Sequence, residues 1–143
     1  MGVRLLLGLG LSVCAVWDLL TTFYGVAGYF DLPMNPKINP VQFAFGAVVT
    51  IVVFGFVIGT HLIWSLKQED VPALVLKAAW TVCVAIDLVT SWEGTKRYVF
   101  YGDDGDPARG AGLAVVTALI VSSTILLSRL ALGKNAGTKN FLY

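Results

Sequence analysis

Residues 13–25 read VCAVWDLLTTFYG, from Val13 to Gly25, and residues 82–94 read VCVAIDLVTSWEG, from Val82 to Gly94. The shared frame is V-C-x-x-x-D-L-x-T-x-x-x-G. The match continues beyond it. Tyr29 corresponds to Tyr98, Asn39-Pro40 to Asp106-Pro107, and AVVT at 47–50 to AVVT at 114–117. Polar, glycine and proline residues matched in order are harder to obtain by chance than matched Leu or Val. The chain therefore reads as an internal duplication, and a duplication decides a fold.

Working outward, apolar windows of roughly 20 residues mark membrane-spanning helices. Four are expected, at residues 4–24, 41–66, 71–92 and 110–132. The whole chain of 143 residues is 57% hydrophobic and 13% charged, whereas a soluble domain carries about a quarter charged residues. Each copy contains two spans, so both copies enter the bilayer in the same direction. The expected fold is an all-α membrane protein whose four transmembrane helices form two parallel tandem hairpin repeats. A pseudo-two-fold axis along the membrane normal would relate them. The chain is one membrane domain, 1–143, with repeat one at 1–69 and repeat two at 70–143. The start MGVRLLLGLGLSVCAV has the outline of a signal peptide, but it is read as the first span.

Caps follow from residue type. Asn39 and Asp106 are good N-cap residues, with Pro40 and Pro107 at the first helical position. Gly25 and Gly94 are expected to end spans one and three as C-caps; the alternative is close packing inside longer helices. Loop charge sets orientation. One side holds Arg4, Lys67, Lys77, Arg129, Lys134 and Lys139, and the other Lys37, Lys96, Arg97 and Arg109 with most of the acids. Both termini are therefore expected in the cytoplasm. The expected location is an energised membrane such as a bacterial inner membrane.

On a helix, Cys14, Asp18, Thr21 and Gly25 fall on one narrow stripe, as do Cys83, Asp87, Thr90 and Gly94. A small, polar stripe faces protein rather than lipid. Leu19, Leu20 and Phe23 are expected on the lipid side. If the first helix ends at Gly25, Asp18 lies about 10 Å inward, in the outer half of the bilayer. Thr50 and Thr117 are expected in the same layer, with Cys14 and Cys83 at its edge. An ionised Asp in hydrocarbon costs roughly 2.5–3.5 kcal/mol on insertion scales. Each Asp therefore needs a proton or a partner. One reading is an ion or proton site formed by Asp18 and Asp87. The other is a lock, in which each Asp joins helices by hydrogen bonds.

Other signals are weaker. Gly55 and Gly59 form a small-xxx-small contact motif, and Thr124 and Ser128 share that spacing. His61 is the only histidine. Two cysteines in apolar runs make neither a disulfide framework nor a metal site. DDGDP at 103–107 reads as an acidic turn before an N-cap rather than a calcium loop. No metal or cofactor is implied, and a net charge of +1 gives no reason to expect nucleic acid. No nucleophile–base pair stands out, so no enzyme is expected. The expected function is that of a small structural or accessory subunit of a membrane assembly or homo-oligomer. Its partners would be the lipid bilayer and other membrane subunits or further copies of itself. The alternative is a proton or monovalent-cation channel or transporter built on Asp18 and Asp87.

Overall fold

The computed structural model describes residues 2–67, 70–98 and 105–137. Gln68 and Glu69, the acidic Asp103 and Asp104, and Lys139 lie outside the described residues. The chain forms α1 (Gly2–Tyr29), α2 (Pro40–Ile58), α3 (Thr60–Ser65), α4 (Val71–Tyr98) and α5 (Pro107–Gly137). No strand occurs among the described residues. Four stretches are long and apolar enough to cross a membrane: Leu5–Tyr29, Pro40–Ile58, Val71–Arg97 and Pro107–Leu130.

Burial is inverted relative to a water-soluble bundle. Among the described residues, twelve buried side chains are polar or charged and nine are hydrophobic. Large apolar side chains such as Leu6, Val13, Val41, Ile51, Leu74, Val82 and Leu119 stand on the outside. With no water to exclude, helices in lipid associate through close packing and hydrogen bonds rather than through burial of Leu and Val. The chain is thus built as a multi-pass membrane protein.

Helix starts follow the expected chemistry. Asn39 adopts an extended backbone, and its side-chain oxygen accepts from Gln42 N–H at 3.2 Å, with Pro40 next in line. Asp106 Oδ1 accepts from Ala108 N–H at 3.0 Å just before α5. Asn39→Ala is expected to cost about 1 kcal/mol, read by equilibrium unfolding in detergent.

Helix ends differ from expectation. Gly25 and Gly94 do not cap; α1 runs on to Tyr29 and α4 to Tyr98. The stop on α1 is Asp31, which takes the left-handed conformation at φ 50°. Leu32 N–H then reaches back to Ala27 O at 2.7 Å, the long-range bond of a Schellman ending. Asp tolerates this backbone better than most side chains. The expected single second span is also corrected, since the helix breaks at Gly59 between α2 and α3. Phe23 is not wholly lipid-facing. Its ring stacks edge-on against Phe43 of α2 at 5.4 Å, and it lies against Gly46.

The centre of the bundle is the α1–α4 contact. Thr22 meets Asp87 and Ser91, and Asp18 meets Ser91. Further along both helices Gly28 lies against Arg97, so the two run in the same direction. Their glycines let the backbones touch. A Cβ at Gly25 would stand 1.8 Å from Thr90 O, and one at Gly94 would stand 2.1 Å from Thr21 O. These glycines are the close-packing devices that were the alternative to caps. α5 and α2 pack against the same pair.

Candidate functional site

The close glycine contact brings two helices together where each carries its acid. Asp18 sits near the middle of α1 rather than one or two turns from its end, because α1 continues past Gly25. The rise per residue puts it about 16 Å from the end at Tyr29, not 10 Å. Both Asp18 and Asp87 are 0% exposed. Neither makes an ion pair with a described residue.

Hydroxyls meet the carboxyls. Thr124 of α5 donates to Asp18 Oδ2 at 2.7 Å, and Ser91 of α4 donates to Asp18 Oδ1 at 3.1 Å. Thr22 of α1 donates to Asp87 Oδ1 at 2.6 Å. Thr22 and Ser91 are themselves 3.1 Å apart. Four oxygens thus form an unbroken chain, Asp18–Ser91–Thr22–Asp87. Asp87 Oδ2 is buried without a hydrogen-bond partner. All three hydroxyl residues are buried.

Of the expected site residues, Asp18 and Asp87 are joined in this cluster. Thr21 and Thr90 line the contact but turn their hydroxyls to their own helices, to the carbonyls of Trp17 and Asp18 and of Ile86 and Asp87. Thr21 Oγ1 also lies 3.3 Å from Ser91 Oγ. Thr50 and Thr117 are buried, but neither hydroxyl reaches a carboxyl. Thr50 donates to Gly46 O at 2.8 Å, and Thr117 Oγ1 has no partner. Cys14 and Cys83 are half-buried free thiols. Gly55 is exposed, with nothing near its missing Cβ, and Gly59 meets only its own helix turn at Gly55 O and Ile63. The nearest atoms at these two glycines thus belong to no other membrane-spanning helix.

Sequence reading missed Thr22, Ser91 and Thr124 as carboxyl partners. The signal for the first two was present. Each Asp is followed four residues later by a hydroxyl residue, Thr22 and Ser91, one helical turn along the same face. Thr124 has no such signal. Aligning AVVT at 47–50 with AVVT at 114–117 sets the fully buried Val57 at the matching position.

A second polar region lies at the other end of the bundle. His61 N–H donates to Ser128 Oγ at 3.1 Å, and Trp80 Nε1 donates to Thr60 Oγ1 at 2.8 Å. Lys77 reaches along the surface to Leu66 O at 3.1 Å and lies 5.6 Å over the Trp64 ring. That is the snorkelling expected of a cation near a span end. A cleft of about 330 Å³ is lined by Thr60, His61, Trp64, Ser65 and Arg129. Among the described residues, no group of three or more His, Cys, Asp or Glu side chains is placed to hold a metal ion.

The polar core can therefore hold helices together, and it can hold protons. No protein-family model matches the chain, and comparison with curated proteins and with solved structures finds no match.

Proposed function

We propose that this chain is a small non-enzymatic integral membrane protein that serves as a structural or accessory subunit of a membrane assembly or a homo-oligomer. The observation that carries this reading is the use made of the two acids. Both are fully buried, and three of their four oxygens accept from hydroxyls on other helices. Such bonds in lipid average about 0.6 kcal/mol and reach about 1.7. A cluster of them specifies which helices meet and in what register. The exposed Gly55, one turn beyond the exposed apolar Ile51 and Val52, supports close approach of a second membrane helix from outside.

The reading includes two parallel tandem hairpins related by a pseudo-two-fold axis, with both termini in the cytoplasm. Reciprocity supports the repeat: Gly25 faces Thr90 while Gly94 faces Thr21. Likewise Thr22 donates to Asp87 while Ser91 donates to Asp18. The orientation rests on the distribution of Lys and Arg.

A second reading, a proton or monovalent-cation pathway, is favoured by one observation, the buried and unpartnered Asp87 Oδ2. Purified protein reconstituted in vesicles, with Asp18→Asn plus Asp87→Asn for comparison, separates the two. The subunit reading expects wild-type vesicles to pass protons, Na⁺ and K⁺ no faster than empty ones. Flux through the wild type that the double variant abolishes, with its fold and assembly intact, would overturn it.

A further inference from the structure

The Asp18–Ser91–Thr22–Asp87 chain has three oxygen–oxygen links, at 3.1, 3.1 and 2.6 Å. Three hydrogen bonds need three protons. The Ser91 and Thr22 hydroxyls supply one each. Thr21 does not fill the gap, because its single proton has two backbone carbonyls at 3.1 Å, nearer than Ser91 Oγ at 3.3 Å. With both acids ionised, Ser91 gives its proton to Asp18 and Thr22 gives its own to Asp87. The Ser91–Thr22 link is then two lone pairs facing each other, and two buried negative charges lie at the ends of one short chain. With both acids protonated, four protons compete for three links, and Asp18 can no longer accept from both Thr124 and Ser91 at full strength.

We propose that the aspartate pair is a proton-binding site that holds a single proton, on Asp87 Oδ1. This proton reverses the Thr22–Asp87 link, in which Thr22 donates when Asp87 is ionised: Asp87 O–H now donates to Thr22, Thr22 to Ser91, and Ser91 to Asp18, and the chain is complete and unidirectional. Asp18 is the ionised member, since both of its oxygens accept hydroxyls. Asp87 is the neutral member, since its Oδ2 is bare. An unpartnered oxygen costs less on a neutral acid than on a carboxylate. The asymmetry comes from Thr124, which has Val57 as its counterpart in the first copy. The other titratable groups on the packed helices do not replace this proton. Cys14 and Cys83 are half-buried thiols one turn away. Lys96 and Arg97 lie in the last turn of α4 and Arg109 in the first turn of α5, Lys77 reaches to Leu66 O beyond the start of α4, and Arg129 lines the cleft beside His61.

This inference goes beyond the subunit reading, and its test is separate from stability and flux. The full chain in lipid nanodiscs is examined by infrared spectroscopy at about pH 8, where exposed carboxyls are ionised. Protein with unlabelled and carboxyl-¹³C aspartate is compared. The wild type is expected to show the C=O stretch of one protonated aspartic acid, shifted by the label. The band disappears in Asp87→Asn, whose amide N–H replaces the acid proton toward Thr22, and persists in Asp18→Asn. No labelled band in the wild type means both acids are ionised and overturns the proposal. A wild-type intensity of two carboxyls, a band surviving in Asp87→Asn, or loss in Asp18→Asn overturns it as well. The isotope comparison on wild type counts the protons even where a variant does not fold.

Discussion

Gly25→Ala and Gly94→Ala are each expected to destabilise the folded chain by about 3 kcal/mol or more, or to prevent its folding in detergent. The added methyl would meet backbone, Thr90 O at 1.8 Å in one case and Thr21 O at 2.1 Å in the other. A backbone oxygen cannot rotate aside as a side-chain tip can. α1 and α4 must separate by more than an ångström, and the carboxyl–hydroxyl links between them lengthen beyond hydrogen-bond range. Gly55→Ala is the matched control. Nothing lies within 4 Å of its Cβ position. It is expected to be neutral, or stabilising by up to about 1 kcal/mol through helix propensity. Unfolding titrations of the three variants check this directly, and a Gly25→Ala variant as stable as Gly55→Ala would sink the close-contact account.

Asp18→Ala carries the next largest expectation, a loss of about 2–3 kcal/mol. Two hydrogen bonds across helices disappear, each worth about 0.6–1.7 kcal/mol in lipid, and a void the size of a carboxyl remains. Thr124 retains its own-helix contact with Ile120 O at 3.4 Å, which limits the loss. Asp18→Asn keeps an acceptor for Ser91 and the side-chain volume, so it is expected to cost about 1 kcal/mol or less. The ratio of the two variants is the informative quantity. Equal, small losses would mean that the polar core contributes no lock, and the subunit reading would lose its carrying observation.

Much of this was legible in the residues. Asn39 and Pro40 announce the start of α2 because an N-cap oxygen and a proline answer a local need, the orphan N–H groups of a helix start. The stripe of Asp18, Thr21 and Gly25 points inward because polar and small residues on a membrane helix have nowhere else to go. The end of α1 was not legible. Gly25 and Asp31 are both acceptable helix terminators, and only the partner helix shows that Gly25 is needed for contact. Thr50 was placed correctly in the interior but not against a carboxyl, since its own carbonyl at Gly46 was a nearer acceptor.

By itself, the sequence determined what depends on composition and on neighbours along the chain: four apolar helices, the N-terminal caps of α2 and α5, and an acid on the inner face of α1 and of α4. Only the tertiary structure decided which groups those acids meet. Thr22, Ser91 and Thr124 come from three different helices, and their pairing rests on how closely α1 and α4 approach at Gly25 and Gly94. That distance is set by atoms far apart in sequence. Periodicity tells which way a side chain points, but it carries no information on what stands opposite.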